Sequence, residues 1–301
     1  MKRICVLVEL FVFAVLVPLA VSAQEAAPTP PPKYIQIVRE EVKPGRTEAH
    51  AKNEARYVSL FKKTNAISNY TTLVTVAGPM EAWFVTRYDS MGAWERDILA
   101  EETNATLQAE LSQIDPSDGD LLSRSSSIFA RYREDLSYRP GVSMPQMHSF
   151  GVTVVRVRPG HNTDFEEARK IVKMAHEKAG LKDNHSVYQV LSGYPAGTFL
   201  IASAYKTIAD LESVPEIHGK VYEDAIGEDG QKKLRELASS GTIGAETLIF
   251  AVDPKMSFPS KETVAADPDF WAPKAVVAKA ASAKAAPTTK KDVAEKSPVK
   301  P

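Results

Sequence analysis

Six histidines, His50, His148, His161, His176, His185 and His218, are the side chains of this 301-residue sequence best suited to proton transfer or metal ligation near neutral pH. No two of them stand four residues apart, the spacing that puts two ligands on one helix face, and HExxH is absent. No metal site is therefore expected from motif. GxGxxG, the Walker phosphate loop and GxSxG are absent as well. The acidic run Asp115-Pro116-Ser117-Asp118-Gly119-Asp120 lacks the ligand spacing of a calcium loop and reads as an ordinary polar loop. The single cysteine, Cys5, lies in the first 23 residues, so disulfides, thiolate nucleophiles and Cys-ligated zinc drop out of the rest of the chain.

The elements that would position any such chemistry come in two copies. Val42-Lys43-Pro44-Gly45 returns as Val157-Arg158-Pro159-Gly160. Strand-like runs precede each turn (34–42 and 147–157), and helix-like runs follow (47–63 and 163–179). Two further strands come next in each copy, 70–77 with 83–88 and 186–192 with 198–205. A longer helical region then starts at Ser90 and at Thr207. Each copy closes on Ile-Phe-Ala, at 128–130 and 249–251. Phe165, Ala168, Val172, Ala175 and Ala179 draw one apolar stripe. Thr163 with Glu166 is expected to cap that helix, and Thr207 with Asp210 is a looser version of the signal. The order β-α-β-β-α-β is ferredoxin-like, giving an α+β protein of two tandem repeats at 33–140 and 145–260. A single unit leaves one sheet face bare. Two units in one chain cover each other, closing an intramolecular barrel of about eight strands with helices outside.

Paired β-α-β-β-α-β units with a Pro-Gly turn after the first strand resemble the dimeric α/β-barrel superfamily, which includes antibiotic-biosynthesis-monooxygenase-like and NIPSNAP-like domains. The resemblance spans Tyr34 to about Phe258. It implies a pseudo-dimer within one polypeptide. It also implies a range of activities, from cofactor-independent oxygenation to haem binding or degradation to no reaction at all, and fold alone does not choose among them.

Five residues stand as ligand-binding candidates in such a barrel: Gln36, Trp83, His148, His176 and His218. Gln36 is expected to face the barrel interior, with Ile35 and Ile37 on the helix-covered side. Trp83 is expected to pack in the core or to wall an apolar ligand. His176 and His218 fall in helical regions and are read as surface histidines, with a haem ligand or general base as the alternative. His148 opens the first strand of the second copy, at the barrel mouth. At the repeat offset His176 corresponds to Phe61 and His148 to Lys33, so two symmetric sites are not expected. Arg156 is expected to pair with Glu41 across the pseudo-symmetry.

The ends carry a different message. Lys2-Arg3, an apolar run to Val17 broken by Glu9, and Val21-Ser22-Ala23 read as a signal peptide over residues 1–23. This implies a periplasmic or extracellular protein. Residues 24–32, QEAAPTPPP, read as a tether. Residues 261–301 are rich in Ala, Lys and Pro and read as a disordered tail, with Phe270-Trp271 pinning its start. Its lysines suit an anionic envelope polymer or membrane surface. The formal charge of −1 gives no field for a nucleic-acid backbone.

Three functions fit. The favoured one is an exported barrel that binds a small apolar ligand or a protein partner without a resident cofactor. The alternatives are a monooxygenase or haem enzyme, and a structural envelope component held by the tail.

Overall fold

The computed structural model describes residues 28–213 and 219–272. The leader read over 1–23, His218 and residues 273–301 of the tail lie outside the described residues.

The first repeat runs β1 (Tyr34–Val42), α1 (Thr47–Thr64), β2 (Tyr70–Ala77), β3 (Glu81–Tyr88), α2 (Met91–Thr103), α3 (Ala105–Leu121) and β4 (Leu122–Tyr132). The second runs β5 (Ser149–Val157), α4 (Asn162–Ala179), β6 (Ser186–Ser192), β7 (Thr198–Tyr205), α5 (Lys220–Gly241) and β8 (Thr242–Val252). The eight strands close into one barrel in the order β1-β3-β2-β8-β5-β7-β6-β4. Each repeat contributes four neighbouring strands, and the repeats join antiparallel at β2–β8 and β4–β6. The Pro-Gly turns explain the common start: Gly45 and Gly160 take φ of 76° and 87°, a region open to glycine without a Cβ penalty.

Alternation along the strands sends Ile35, Ile37, Trp83, Val152, Leu200 and Phe250 into one apolar cluster that fills the barrel. Even-numbered residues of β1 face outward, toward the helices. In each repeat the long helical region is interrupted. Asn104 ends α2 and caps α3, its side chain accepting from Leu107 N at 3.1 Å, and α5 kinks at Gly227 (φ 70°).

Several expectations change. Asp115–Asp120 is helical, because α3 runs through Pro116 to Leu121 before β4 begins. The Thr163–Glu166 box does not form. α4 starts one residue earlier with His161 at its N-cap, and Glu166 accepts instead from Arg133 at 2.7 Å. Thr207 and Asp210 do make half of the expected motif, Thr207 N donating to Asp210 Oδ2 at 2.9 Å. Glu41 lies 3.6 Å from Arg39 and 3.8 Å from Arg124, while Arg156 is exposed, so the Arg156–Glu41 pair is replaced.

The tail begins later than 261. Residues 261–272 form α6 (Lys261–Ala266) and α7 (Pro268–Trp271), with Trp271 buried and its Nε1 donating to Pro145 O at 2.8 Å. The aromatic pair supplies the apolar area that the alanines lack. At the other end Thr29 bridges to Val142, and Pro30–Pro32 pack over the barrel mouth, so the last part of the tether belongs to the fold.

Candidate functional site

The barrel interior is too full to be the main site. Trp83 is 1% exposed, tilts against Phe250 with centroids 4.9 Å apart, and donates from Nε1 to Glu81 Oε2 at 2.7 Å. Arg39 binds the same carboxylate, Nε to Oε2 at 2.7 Å, and its guanidinium lies over the Trp83 ring. What remains is a space of about 120 Å³ at the mouth. Trp83 thus serves mainly as core.

The large cavity, about 900 Å³, lies outside the barrel, between the first repeat's sheet and α1, α2 and α3. Gln36, Val38 and Glu40 of β1 line it with Phe84, Thr86 and Tyr88 of β3. Gln36 therefore points the opposite way from the expectation. Ile35 and Ile37 take the barrel side because that interior is the more apolar surface, and Gln36 is left facing a polar cavity. Its Oε1 accepts from Trp94 Nε1 at 3.1 Å, and its Nε2 donates to Ser127 Oγ at 3.3 Å. Trp94 is held by stacking on Phe129 with centroids 4.2 Å apart.

One wall is aromatic. Tyr70 meets Phe61, Phe84 and Phe258 at centroid separations of 6.0, 5.8 and 6.3 Å. The other walls carry carboxylates. Asp97 accepts from Tyr88 at 2.6 Å. The Tyr57 hydroxyl lies 2.7 Å from Asp118 Oδ2 and 2.8 Å from Asp115 Oδ1, donating to one of them at a time. Burial raises the phenols of Tyr57, Tyr70 and Tyr88 and keeps them protonated, helped by Asp118 and Asp115 at Tyr57, by Glu54 and Glu40 at Tyr70 and by Asp97 at Tyr88. Arg124 is the one basic side chain among the described residues lining the cavity.

At the inner end, β1 and α1 bring together Glu40, His50 and Glu54, all three buried. His50 Nε2 is 2.8 Å from Glu40 Oε2 and 3.7 Å from Glu54 Oε1. Glu54 Oε1 is buried and has no hydrogen-bond partner. Desolvation, then the like charges of Glu40 and Asp118, push the Glu54 carboxyl up to about 9, so it is protonated at neutral pH. A search for histidine pairs passes over this group. The available signal was a histidine and a glutamate at i, i+4 on α1.

The same place in the second repeat is packed differently. At the repeat offset Glu40, His50 and Glu54 become Val155, Phe165 and Arg169. Glu40 pairs with Ala82 across the sheet, whereas Val155 pairs with Phe199. Phe165 and Phe199 then meet at 4.3 Å and fill the inner end.

His176 is 4% exposed and not on the surface, because α5 covers the flank of α4 that the apolar stripe left open. Its Nε2 is 2.8 Å from Asp183 Oδ2 and its Nδ1 2.8 Å from Val172 O. His185 stands edge-on at 5.0 Å, and Tyr222 OH is 3.1 Å from the His176 ring nitrogens. None of these residues lines the large cavity. His148 directly precedes β5 and is engaged by the C-terminal helices. It stacks on Phe270 at 3.7 Å, and its Nε2 is 2.9 Å from Asp267. The structure thus puts Gln36 alone of the sequence candidates into the large cavity. His218 lies outside the described residues.

The cavity's donor set does not fit haem, the cofactor that the fold resemblance raised. A haem iron needs an axial nitrogen, sulfur or phenolate. No histidine, cysteine or methionine is among the described residues lining the space. Its tyrosines face carboxylates that disfavour a phenolate, and propionates would meet that same acidic wall.

No family model matches the chain and no curated protein does. Among solved structures it is similar to an anthrone oxidase-like protein (10% identity, 73% of this chain and 92% of that one, TM-score 0.47). It is also similar to a candidate monooxygenase of Lactobacillus acidophilus (8%, 73% and 93%, 0.43). A third is the chlorite dismutase of Candidatus Nitrospira defluvii in complex with imidazole (9%, 74% and 91%, 0.42). These likenesses concern the course of the chain. With the closed eight-strand barrel of two ferredoxin-like units, the protein has the dimeric α/β-barrel fold, both units lying in one polypeptide.

Proposed function

We propose that this protein binds a small organic molecule in the cavity between the first repeat's sheet and its helices. The observation that carries the reading is the cavity itself. Its volume of about 900 Å³ is at the upper end of the ~300–1,000 Å³ usual for ligand sites. Its aromatic wall suits a flat or aliphatic body, and its carboxylates suit a cationic or hydrogen-donating group at the other end. Gln36, fixed by Trp94 and Ser127, offers an orienting amide. Binding is favoured over catalysis because Asp97 is already engaged by Tyr88, and Asp118 by Asn53, with the Tyr57 hydroxyl held between Asp118 and Asp115. We place this function outside the cytoplasm on the leader composition alone.

Native mass spectrometry of the protein from its source tests the reading. A co-purifying molecule whose occupancy falls in Thr86→Phe supports it. A ligand retained unchanged in that variant, or no binding by aromatic amines in a thermal-shift series, overturns it. Oxygen uptake with a bound phenol would convert the reading to the oxygenase alternative. Amino-terminal sequencing of the exported chain tests the leader, with Gln24 expected first.

A further inference from the structure

We propose that Glu40, His50 and Glu54 form a binding site for one divalent first-row transition ion, with its remaining coordination positions open to the large cavity. The three side chains come from two elements, β1 and α1, and each offers one donor atom, all within 4.8 Å of one another. A single ion with bonds of ~2.1 Å holds neighbouring donors about 3.0–3.4 Å apart. The observed separations from His50 Nε2, 2.8 Å to Glu40 Oε2 and 3.7 Å to Glu54 Oε1, bracket that range. An ion enters by displacing two protons to solvent, the one that now lies between His50 and Glu40 and the one on the Glu54 carboxyl.

A second observation points the same way. Glu54 is 5% exposed, and its Oε1 has no hydrogen-bond partner. Buried polar atoms are nearly always satisfied, and an unpartnered buried carboxyl oxygen leaves a place for a missing group. The atom lies on the His50 side of the cluster, where a cation would bond it. Nor does the fold demand these residues, since the second repeat builds the same corner from Val155, Phe165 and Arg169. The imidazole selects Mn²⁺, Fe²⁺, Co²⁺ or Zn²⁺ over Mg²⁺ and Ca²⁺, which prefer all-oxygen sites. Glu40 and Glu54 both line the cavity, so a bound ion would stand in its wall.

The other such cluster, His176, Asp183 and His185, is the contrasting case. It too has unpartnered atoms, Asp183 Oδ1 and His185 Nε2, but the buried Arg169 beside it supplies a positive charge that opposes a cation.

The inference stands apart from the organic ligand, and its test does too. Co²⁺ is titrated into the chelator-treated full chain and its visible absorption followed, with circular dichroism confirming the fold of every variant. One equivalent is expected to bind, to be displaced by Zn²⁺ and to resist excess Mg²⁺. Glu54→Gln and His50→Gln are expected to weaken it at least a hundredfold, and His185→Asn to leave it unchanged. Absence of a saturable one-equivalent signal in the folded parent chain overturns the proposal. So does a signal that survives both first-repeat variants or disappears with His185→Asn.

Discussion

The two repeats trace the same path yet solve the space between sheet and helices in opposite ways. The first leaves a cavity and lines it with carboxylates and phenols. The second fills the matching inner corner with Phe165, Phe199 and Val155, and moves its buried polar groups outward to a knot of Arg169, His176, Asp183, His185 and Tyr222. The difference is carried by few positions. Ala82 in place of Phe199 and His50 in place of Phe165 remove one ring stack. Glu54 in place of Arg169 replaces a buried cation by a carboxyl that is neutral at pH 7. A duplicated scaffold can thus keep one half for stability and leave the other hollow, because the barrel closes through the pairs β2–β8 and β4–β6 that join the halves.

The comparison breaks most visibly at Arg169. It is buried, and burial lowers its guanidinium to about 10. Arg169→Ala is expected to cost about 2–5 kcal/mol through the packing lost when its buried side chain is removed. Urea unfolding measures it, and a cost under about 1 kcal/mol would show that the second repeat's knot contributes nothing. The reciprocal change makes the first repeat resemble the second. Glu40→Val with His50→Phe replaces a buried polar pair by apolar groups, and should be neutral or stabilising by about 1–4 kcal/mol. The same variant should lose Co²⁺ binding. A strongly destabilised protein would mean that the pair holds the fold.

Acid should act on the second repeat first. Burial, then Arg169 and His176, push the His185 imidazole down to about 2, from an ordinary 6.5. The folded state then holds fewer protons than the unfolded one between these values. The stability contribution is full above pH 6.5 and is lost as pH falls, by at most about 1.4 kcal/mol per pH unit. His185→Asn should flatten that slope in denaturant titrations, and an unchanged slope would assign acid sensitivity elsewhere. The smallest effect is expected from Thr86→Phe. It narrows the cavity at a half-buried position and should weaken a bound ligand about tenfold, roughly 1.4 kcal/mol, with little change in melting temperature.

Periodicity and turn chemistry made the architecture legible. β1, β2, β6 and β7 occupy the residues read from alternation and turns, and the ferredoxin-like order follows from them. Helix starts were less accessible. His161 takes the cap that Thr163 seemed suited to, since a cap depends on where the preceding turn delivers the chain. The sites were mostly illegible, for a reason visible at Gln36. Alternation reveals two faces of a strand but not which one the barrel encloses, and here the enclosed face is the more apolar one.

His176 was missed for a related reason. A histidine beside an apolar stripe is exposed or buried according to whether another helix covers that flank, and α5 comes from far along the chain. The sequence by itself determined that two like units must cover each other's bare sheets, because each carries one apolar face too many. Only tertiary packing decided which half stays hollow, since that depends on Ala82, His50 and Glu54 meeting across elements that local patterns describe one at a time.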